Sequence, residues 1–147
     1  MEPSSRDLSI YLHVPFCESK CPYCDFYSAP AAELGIEPET YFDWVMRELD
    51  LVLGSVEELR GRRVVTVYVG GGTPSLFEPE EYGRFYERLR GEFAIDPRRE
   101  WTLEVNPGTA SPGRLDEYAL VGVNRFSVGV QSFNDEKLRR LGRRVVN

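Results

Sequence analysis

Apolar positions along the chain switch repeatedly between a period near two and a period near 3.6, and each switch marks an element. Leu8 to Val14 alternates and then turns apolar before Pro15, which lacks a backbone donor, so a strand is predicted there. Ser28 to Glu37 reads as a loop of small residues rich in Ala and Pro. From Pro38 onward, Tyr41, Val45, Leu49 and Val52 recur at helical spacing up to Gly54, and Glu57 to Arg62 adds a short turn. Val64 to Val69 is a β-branched strand that runs into Gly70-Gly71-Gly72. Within Leu76 to Phe93, Glu78, Pro79 and Glu80 mark a helix start, and Tyr82, Phe85, Tyr86 and Leu89 form its apolar stripe. Trp101 to Val105 is the third strand. Ser111-Pro112 opens a third helix that carries Leu115 and Tyr118 and closes at Gly122. Arg125 to Val130 is the fourth strand, and Asn134 caps a last helix with Leu138 and Leu141, ending at Gly142. Residues 1 to 7 are polar and expected to fray.

The order βαβαβαβα, with short apolar strands between helices, predicts an α/β fold built on a parallel sheet with right-handed crossovers, open or part of a barrel. Such folds collect ligands at the C-terminal ends of their strands. The stretches that stand out chemically all lie there: the loop after the first strand, the triple glycine, Glu104 near the end of the third strand and Gln131 after the fourth.

Composition narrows the classes. A chain of 147 residues is one domain by length, long enough to bury roughly 70% of the surface its unfolded form exposes. Eighteen basic against twenty-four acidic side chains give a net charge of −6, with basic runs only at Arg60 to Arg63 and Arg139 to Arg144. Nucleic acid is therefore excluded as the expected partner. The N-terminus has no apolar signal region, and no run approaches the ~18 apolar residues of a membrane span, so a cytoplasmic location is expected.

All three cysteines of the chain fall in the stretch LHVPFCESKCPYCDFY, as Cys17, Cys21 and Cys24. Three cysteines cannot all pair within one chain, and in a reducing compartment they favour metal or redox chemistry over structural disulfides. Three thiolates on one loop suit a soft metal centre left one protein ligand short, and an open coordination position is where chemistry can happen. His13, the only histidine, is either a packed, hydrogen-bonded strand residue or a group that tunes a nearby metal centre. The triple glycine is either a tight strand-to-helix turn or a place where backbone approaches a ligand. Glu104, inside the apolar run TLEV, is costly to bury unless paired, which leaves an ion pair or a bound ligand. Gln131 could both donate and accept.

The spacing CxxxCxxC after a first strand resembles that of radical S-adenosylmethionine (SAM) proteins. The words YLHVPFC from Tyr11 to Cys17, GGGTP from Gly70 to Pro74, EVNP from Glu104 to Pro107 and GVQSF from Gly129 to Phe133 are similar to those of one family. That family is the oxygen-independent coproporphyrinogen III oxidases and haem chaperones (HemN/HemW). The match runs in order from about Tyr11 to Arg143. The resemblance implies the first four units of a partial TIM-type radical SAM barrel, followed in the family by the rest of the barrel and a further domain. Residues 1–147 would then be the N-terminal portion of the core domain, with an unpaired strand edge beside the fourth strand.

The resemblance also implies a site. Cys17, Cys21 and Cys24 would hold three irons of a [4Fe-4S] cluster, and SAM would chelate the fourth through its amino and carboxylate groups. One electron from the reduced cluster would then generate a carbon radical from SAM, the cofactors carrying the hard chemistry. Gly71, Gly72, Thr73, Glu104 and Gln131 would contact SAM; Tyr11 would give an aromatic contact and Tyr23 a backbone contact to adenine. Arg143 would offer a cation to the SAM carboxylate, although a basic helix end that complements the dipole reads equally well. Tyr11 and Tyr23 read equally as packing. Porphyrinogen-oxidising members carry a fourth cysteine two residues after the third, where this chain has Phe26. The wording therefore points to the haem chaperone branch, with haem as a further ligand and with an electron donor and a haem-accepting protein as partners. The oxidase branch is the alternative, and turnover is not implied.

Two readings from other classes remain. Cys17, Cys21, Cys24 and His13 would make a Cys₃His structural zinc set. Cys21-Pro22-Tyr23-Cys24 has the spacing of a thiol–disulfide module, although such motifs open a helix whereas Pro22 and the upstream Cys17 suit a wrapping loop.

Overall fold

In the computed structural model, which describes residues 7–143, the first strand β1 (Leu8–Val14) forms where the alternation places it. The fraying expected of residues 1–6 lies outside the described residues, as does Arg144. After Pro15 the chain makes a two-residue strand, β2 (Phe16–Cys17), loops through the other two cysteines, and returns as β3 (Ala29–Pro30) in parallel pairing with β2. The segment read as a loop, Ser28 to Glu37, thus holds β3 and one helical turn, α1 (Ala31–Leu34). Pairing with a distant partner leaves no local periodicity, so the pattern does not reveal it.

A 3₁₀ turn at Pro38–Thr40 leads into α2 (Tyr41–Ser55). Phe42 and Leu53 centre its buried stripe, which turns Val52 to an exposed margin, contrary to the expected spacing. The second main strand, β4 (Arg63–Gly71), takes in the first two glycines. A 3₁₀ turn at Pro74–Leu76 precedes α3 (Pro79–Glu92), which starts where Glu78, Pro79 and Glu80 mark it, with Pro in its first turn and Glu80 and Glu81 beside it.

β5 (Ala94–Val105) begins well before Trp101. It pairs Val64 with Ile95 and then slips, so that Thr66 faces Glu100; the irregular stretch around Pro97 hides the first half of the strand from any alternation. α4 (Pro112–Leu120) is capped by Ser111, whose hydroxyl accepts from Arg114 N at 3.3 Å. β6 (Arg125–Val128) stops two residues short of the predicted Val130 because the backbone turns there, reaching a left-handed φ of 63° at Gln131. Asn134 caps α5 (Asp135–Arg140), accepting from Lys137 N at 3.0 Å.

The main sheet has the order β1-β4-β5-β6 with every pairing parallel. Its registers sort side chains cleanly by face. Leu12 and Val14, Val67 and Val69, Trp101, Leu103 and Val105 lie on one face, buried in the core with Tyr41, Phe42 and Leu53 of α2, Tyr82, Phe85 and Leu89 of α3, and Tyr118 of α4. A row of edge-on aromatic rings, Phe16, Phe77, Phe42, Tyr82 and Tyr118, runs through this layer with successive centroids 5.2 to 5.7 Å apart. The buried hydroxyls are satisfied, Tyr82 donating to Pro74 O at 2.7 Å and Tyr118 to Phe77 O at 2.5 Å.

The opposite face is polar from edge to edge: Ser9, Tyr11 and His13, then Thr66 and Tyr68, then Glu100, Thr102 and Glu104, then Arg125 and Ser127. Parallel strands covered on both faces are continuously apolar, so this sheet is built to pack on one side only. Leu103 is fully buried at the centre of the packed side. Leu103→Ala is expected to cost about 2–5 kcal/mol through lost transfer energy and the cavity left behind. Urea unfolding would read this as a lower midpoint at unchanged slope.

Candidate functional site

At the C-terminal edge of the sheet the strand ends surround a cleft of about 560 Å³, within the ~300–1,000 Å³ range of small-molecule sites. One wall is the cysteine loop. The β2–β3 pairing closes its base, reinforced by Ala29 N donating to Pro15 O at 2.9 Å. Inside it, Cys24 N donates to Cys21 O at 3.0 Å, a turn with no helix opening at Cys21, which removes the setting a thiol–disulfide module requires. Lys20 straps the far side, its ammonium donating to Phe26 O at 2.5 Å and Ser28 O at 2.8 Å. Cys17, Cys21 and Cys24 are free thiols, half-buried, and all line the cleft together with Tyr23.

His13 stands behind this loop. The Tyr27 carbonyl can only accept, so His13 Nε2 carries a proton and donates to it at 2.7 Å, while Nδ1 is hydrogen-bonded to Tyr11 OH at 2.8 Å. Both ring nitrogens are engaged, so a Cys₃His zinc set would have to break one of these bonds. Among the described residues, no three His, Cys, Asp or Glu side chains gather as a single ion would need.

The floor is the glycine turn. Gly72 N donates to Val14 O at 2.6 Å and Thr73 N to Phe16 O at 2.7 Å, which stitches the turn after β4 onto the start of the cysteine loop. Gly71 has a φ of 113°, and a Cβ there would lie 2.7 Å from the His13 ring. Glu104 projects from β5 beside it, half-buried. Its Oε1 accepts from Tyr68 OH at 2.5 Å and its Oε2 from Gly71 N at 3.2 Å, so its partners are a phenol and an amide. No cation among the described residues is paired with it.

The last wall comes from the segments after β6 and α5. Gln131 Nε2 and Arg143 Nη2 converge over Gly129, where a Cβ would lie 3.4 and 3.6 Å from them. Gln131 is the one non-glycine among the described residues with positive φ, a conformation that costs energy and recurs where a side chain must be aimed. Arg143 Nε donates to Tyr23 OH at 2.8 Å, tying this end of the chain to the cysteine loop. Among the residues singled out for the cluster or for SAM, only Tyr11 does not line the cleft. It is largely exposed, its ring 6.2 Å from that of Tyr68.

Sequence reasoning missed Tyr68 and Lys20, and left Asn106 and Ser127, both on the cleft wall, without a role. A signal for Tyr68 and Ser127 was available: every second residue in YLHV, TVYV, TLEV and RFSV is polar, a periodicity that places them on the same sheet face as Glu104.

The model of the radical SAM superfamily matches residues 11–147, and the chain belongs to that superfamily. Its relatives point to a narrower neighbourhood. It is 42% identical to the haem chaperone HemW of Escherichia coli over 136 residues, 92% of this chain and 35% of that protein. It is 39% identical to the haem chaperone HemW of Haemophilus influenzae over 142 residues, 96% of this chain and 37% of that protein. The mouse mitochondrial radical S-adenosyl methionine domain-containing protein 1 is 37% identical over 143 residues, 97% and 31% respectively. The chain thus spans about a third of the length of these relatives. Among solved structures, the radical SAM enzyme coproporphyrinogen III oxidase (HemN) from Escherichia coli superposes with a TM-score of 0.79 at 29% identity, over 97% of this chain and 32% of that one. The parallel α/β architecture is common to both. No helix among the described residues is long and apolar enough to cross a membrane.

Proposed function

We propose that this chain is the cluster- and SAM-holding part of a cytoplasmic, haem-handling radical SAM protein similar to HemW. The observation that carries it is the placement of three free thiols across one cleft from Gly71, Gly72, Thr73, Glu104 and Gln131. The superfamily implies a [4Fe-4S] cluster and SAM, and the donor set fits: three cysteines on one loop and no fourth cysteine in the chain. When bound, these groups would supply one-electron chemistry, and the chain supplies the holding. Cys17, Cys21 and Cys24 would bind the cluster, the glycine turn would bring backbone close to SAM, and Glu104 would accept from its ammonium. Arg143 and Gln131 would close on its carboxylate end, with Tyr23 beside the adenine.

The haem chaperone reading rests on the HemW relatives and on Phe26, which lines the cleft where the oxidising branch resembles a fourth cysteine. It brings haem, an electron donor and a haem-accepting protein as partners. The second reading, oxygen-independent porphyrinogen oxidation, is favoured by the likeness to HemN. Anaerobic reconstitution with iron and sulfide, followed by electron paramagnetic resonance of the reduced protein, tests the shared part. A reduced-cluster signal that changes when SAM is added is expected. Stoichiometric zinc in place of iron would overturn the reading, and substrate assays on a SAM-responsive protein would separate haem transfer from porphyrinogen oxidation.

A further inference from the structure

We infer that Tyr68 is the positioning residue for Glu104: its hydroxyl fixes the carboxylate in the orientation that receives the SAM ammonium. The inference rests on the SAM reading of the cleft and adds a residue to it. Glu104 emerges from β5 on the polar face, next to Tyr68 and Gly70 of β4, and a lone glutamate side chain has free rotation about its long stem. Two contacts remove that freedom. Tyr68 OH holds Oε1 at 2.5 Å, and Gly71 N holds Oε2 at 3.2 Å from the adjoining turn. Each oxygen keeps acceptor capacity for a ligand in the cleft, which Glu104 lines and Tyr68 does not. Tyr68 therefore acts through Glu104.

Gly70 belongs to the same device. A Cβ at Gly70 would lie 2.8 Å from Tyr68 Cε1 and 3.0 Å from Glu104 Cδ, so the first glycine of the triple leaves the space in which phenol and carboxylate meet. The bond also holds the phenol protonated to higher pH than a free tyrosine, chiefly through the hydrogen bond to Glu104. Tyr11, set apart from the cleft, packs its ring against the Tyr68 ring and so backs the pair from β1.

The test is a double-mutant cycle on the reconstituted chain, with SAM affinity measured by equilibrium dialysis. Tyr68→Phe is expected to weaken SAM binding about tenfold, the scale of one hydrogen bond to a charged group. Iron content and the reduced-cluster signal without SAM should stay unchanged, and the variant should remain folded with only the small drop in midpoint that one lost hydrogen bond gives. In a Glu104→Gln background, adding Tyr68→Phe should change SAM affinity less than about twofold, because the residue it acts through is already lost. Equal affinity of Tyr68→Phe and wild type would overturn the inference and leave the SAM reading standing. So would a tenfold loss that persists in the Glu104→Gln background, or one accompanied by loss of the cluster or of the fold. Failure of the wild-type chain to bind SAM would overturn the functional reading itself, and this inference with it.

Discussion

Cys21→Ala is expected to abolish cluster retention while leaving the fold intact. Cys21 sits mid-loop, and what the loop asks of it structurally is a backbone carbonyl that accepts from Cys24 N, which alanine supplies equally well. The base of the loop is held by the β2–β3 pairing and its far side by Lys20, neither of which involves the Cys21 side chain. Two thiolates cannot hold a cluster that three irons anchor to protein, so iron and sulfide per chain after reconstitution should fall to background. Circular dichroism and the unfolding midpoint should match the wild type. Normal iron loading in the variant would contradict the assignment of the cysteines. Unfolding of the variant would instead show that the loop depends on its metal for structure.

Gly72→Ala should be the most damaging single methyl group in the site. The new Cβ would lie 2.4 Å from Phe16 O and 3.0 Å from Val14 O, both rigid backbone atoms. Those two carbonyls also accept the hydrogen bonds from Thr73 N and Gly72 N that join the glycine turn to the cysteine loop. Overpacking costs ~1–3 kcal/mol, and two weakened hydrogen bonds add about 1 kcal/mol each. A loss of roughly 3–5 kcal/mol is a large share of a domain's ~5–15 kcal/mol. Gly54→Ala is the control: it lies in α2 with no atom within 4 Å of the added Cβ, and helix propensity predicts a gain of about 0.5–1 kcal/mol. Urea unfolding of the two variants side by side would check both signs, and a Gly72→Ala midpoint equal to wild type would refute the stitch.

These expectations show where the sequence was readable. The cysteine loop, the glycine turn, Glu104 and Gln131 could be located because each lies at or just past the end of an apolar strand, and in a parallel sheet all such ends share one edge. The caps at Ser111 and Asn134 are local hydrogen-bond chemistry and were equally visible. What stayed hidden depends on partners distant in sequence. β3 exists because Ala29 and Pro30 find Phe16 and Cys17, and the first half of β5 is masked by the slip around Pro97. Tyr68 was hidden differently: Val64 to Val69 reads simply as a β-branched strand, and the Tyr68 hydroxyl matters only because β4 and β5 align it with Glu104.

The one-sided sheet bears on how the chain emerges from a ribosome. Once β6 has been synthesised, the apolar layer is already shut between strands and helices, and the sheet surface left open presents Ser9, Thr66, Tyr68 and Ser127 at least partly to water. A nascent chain at that stage offers chaperones no greasy sheet face to grip. Its edge liabilities are the backbones of β1 and β6, and β6 is only four residues long, short enough to be a poor template for a stray neighbour.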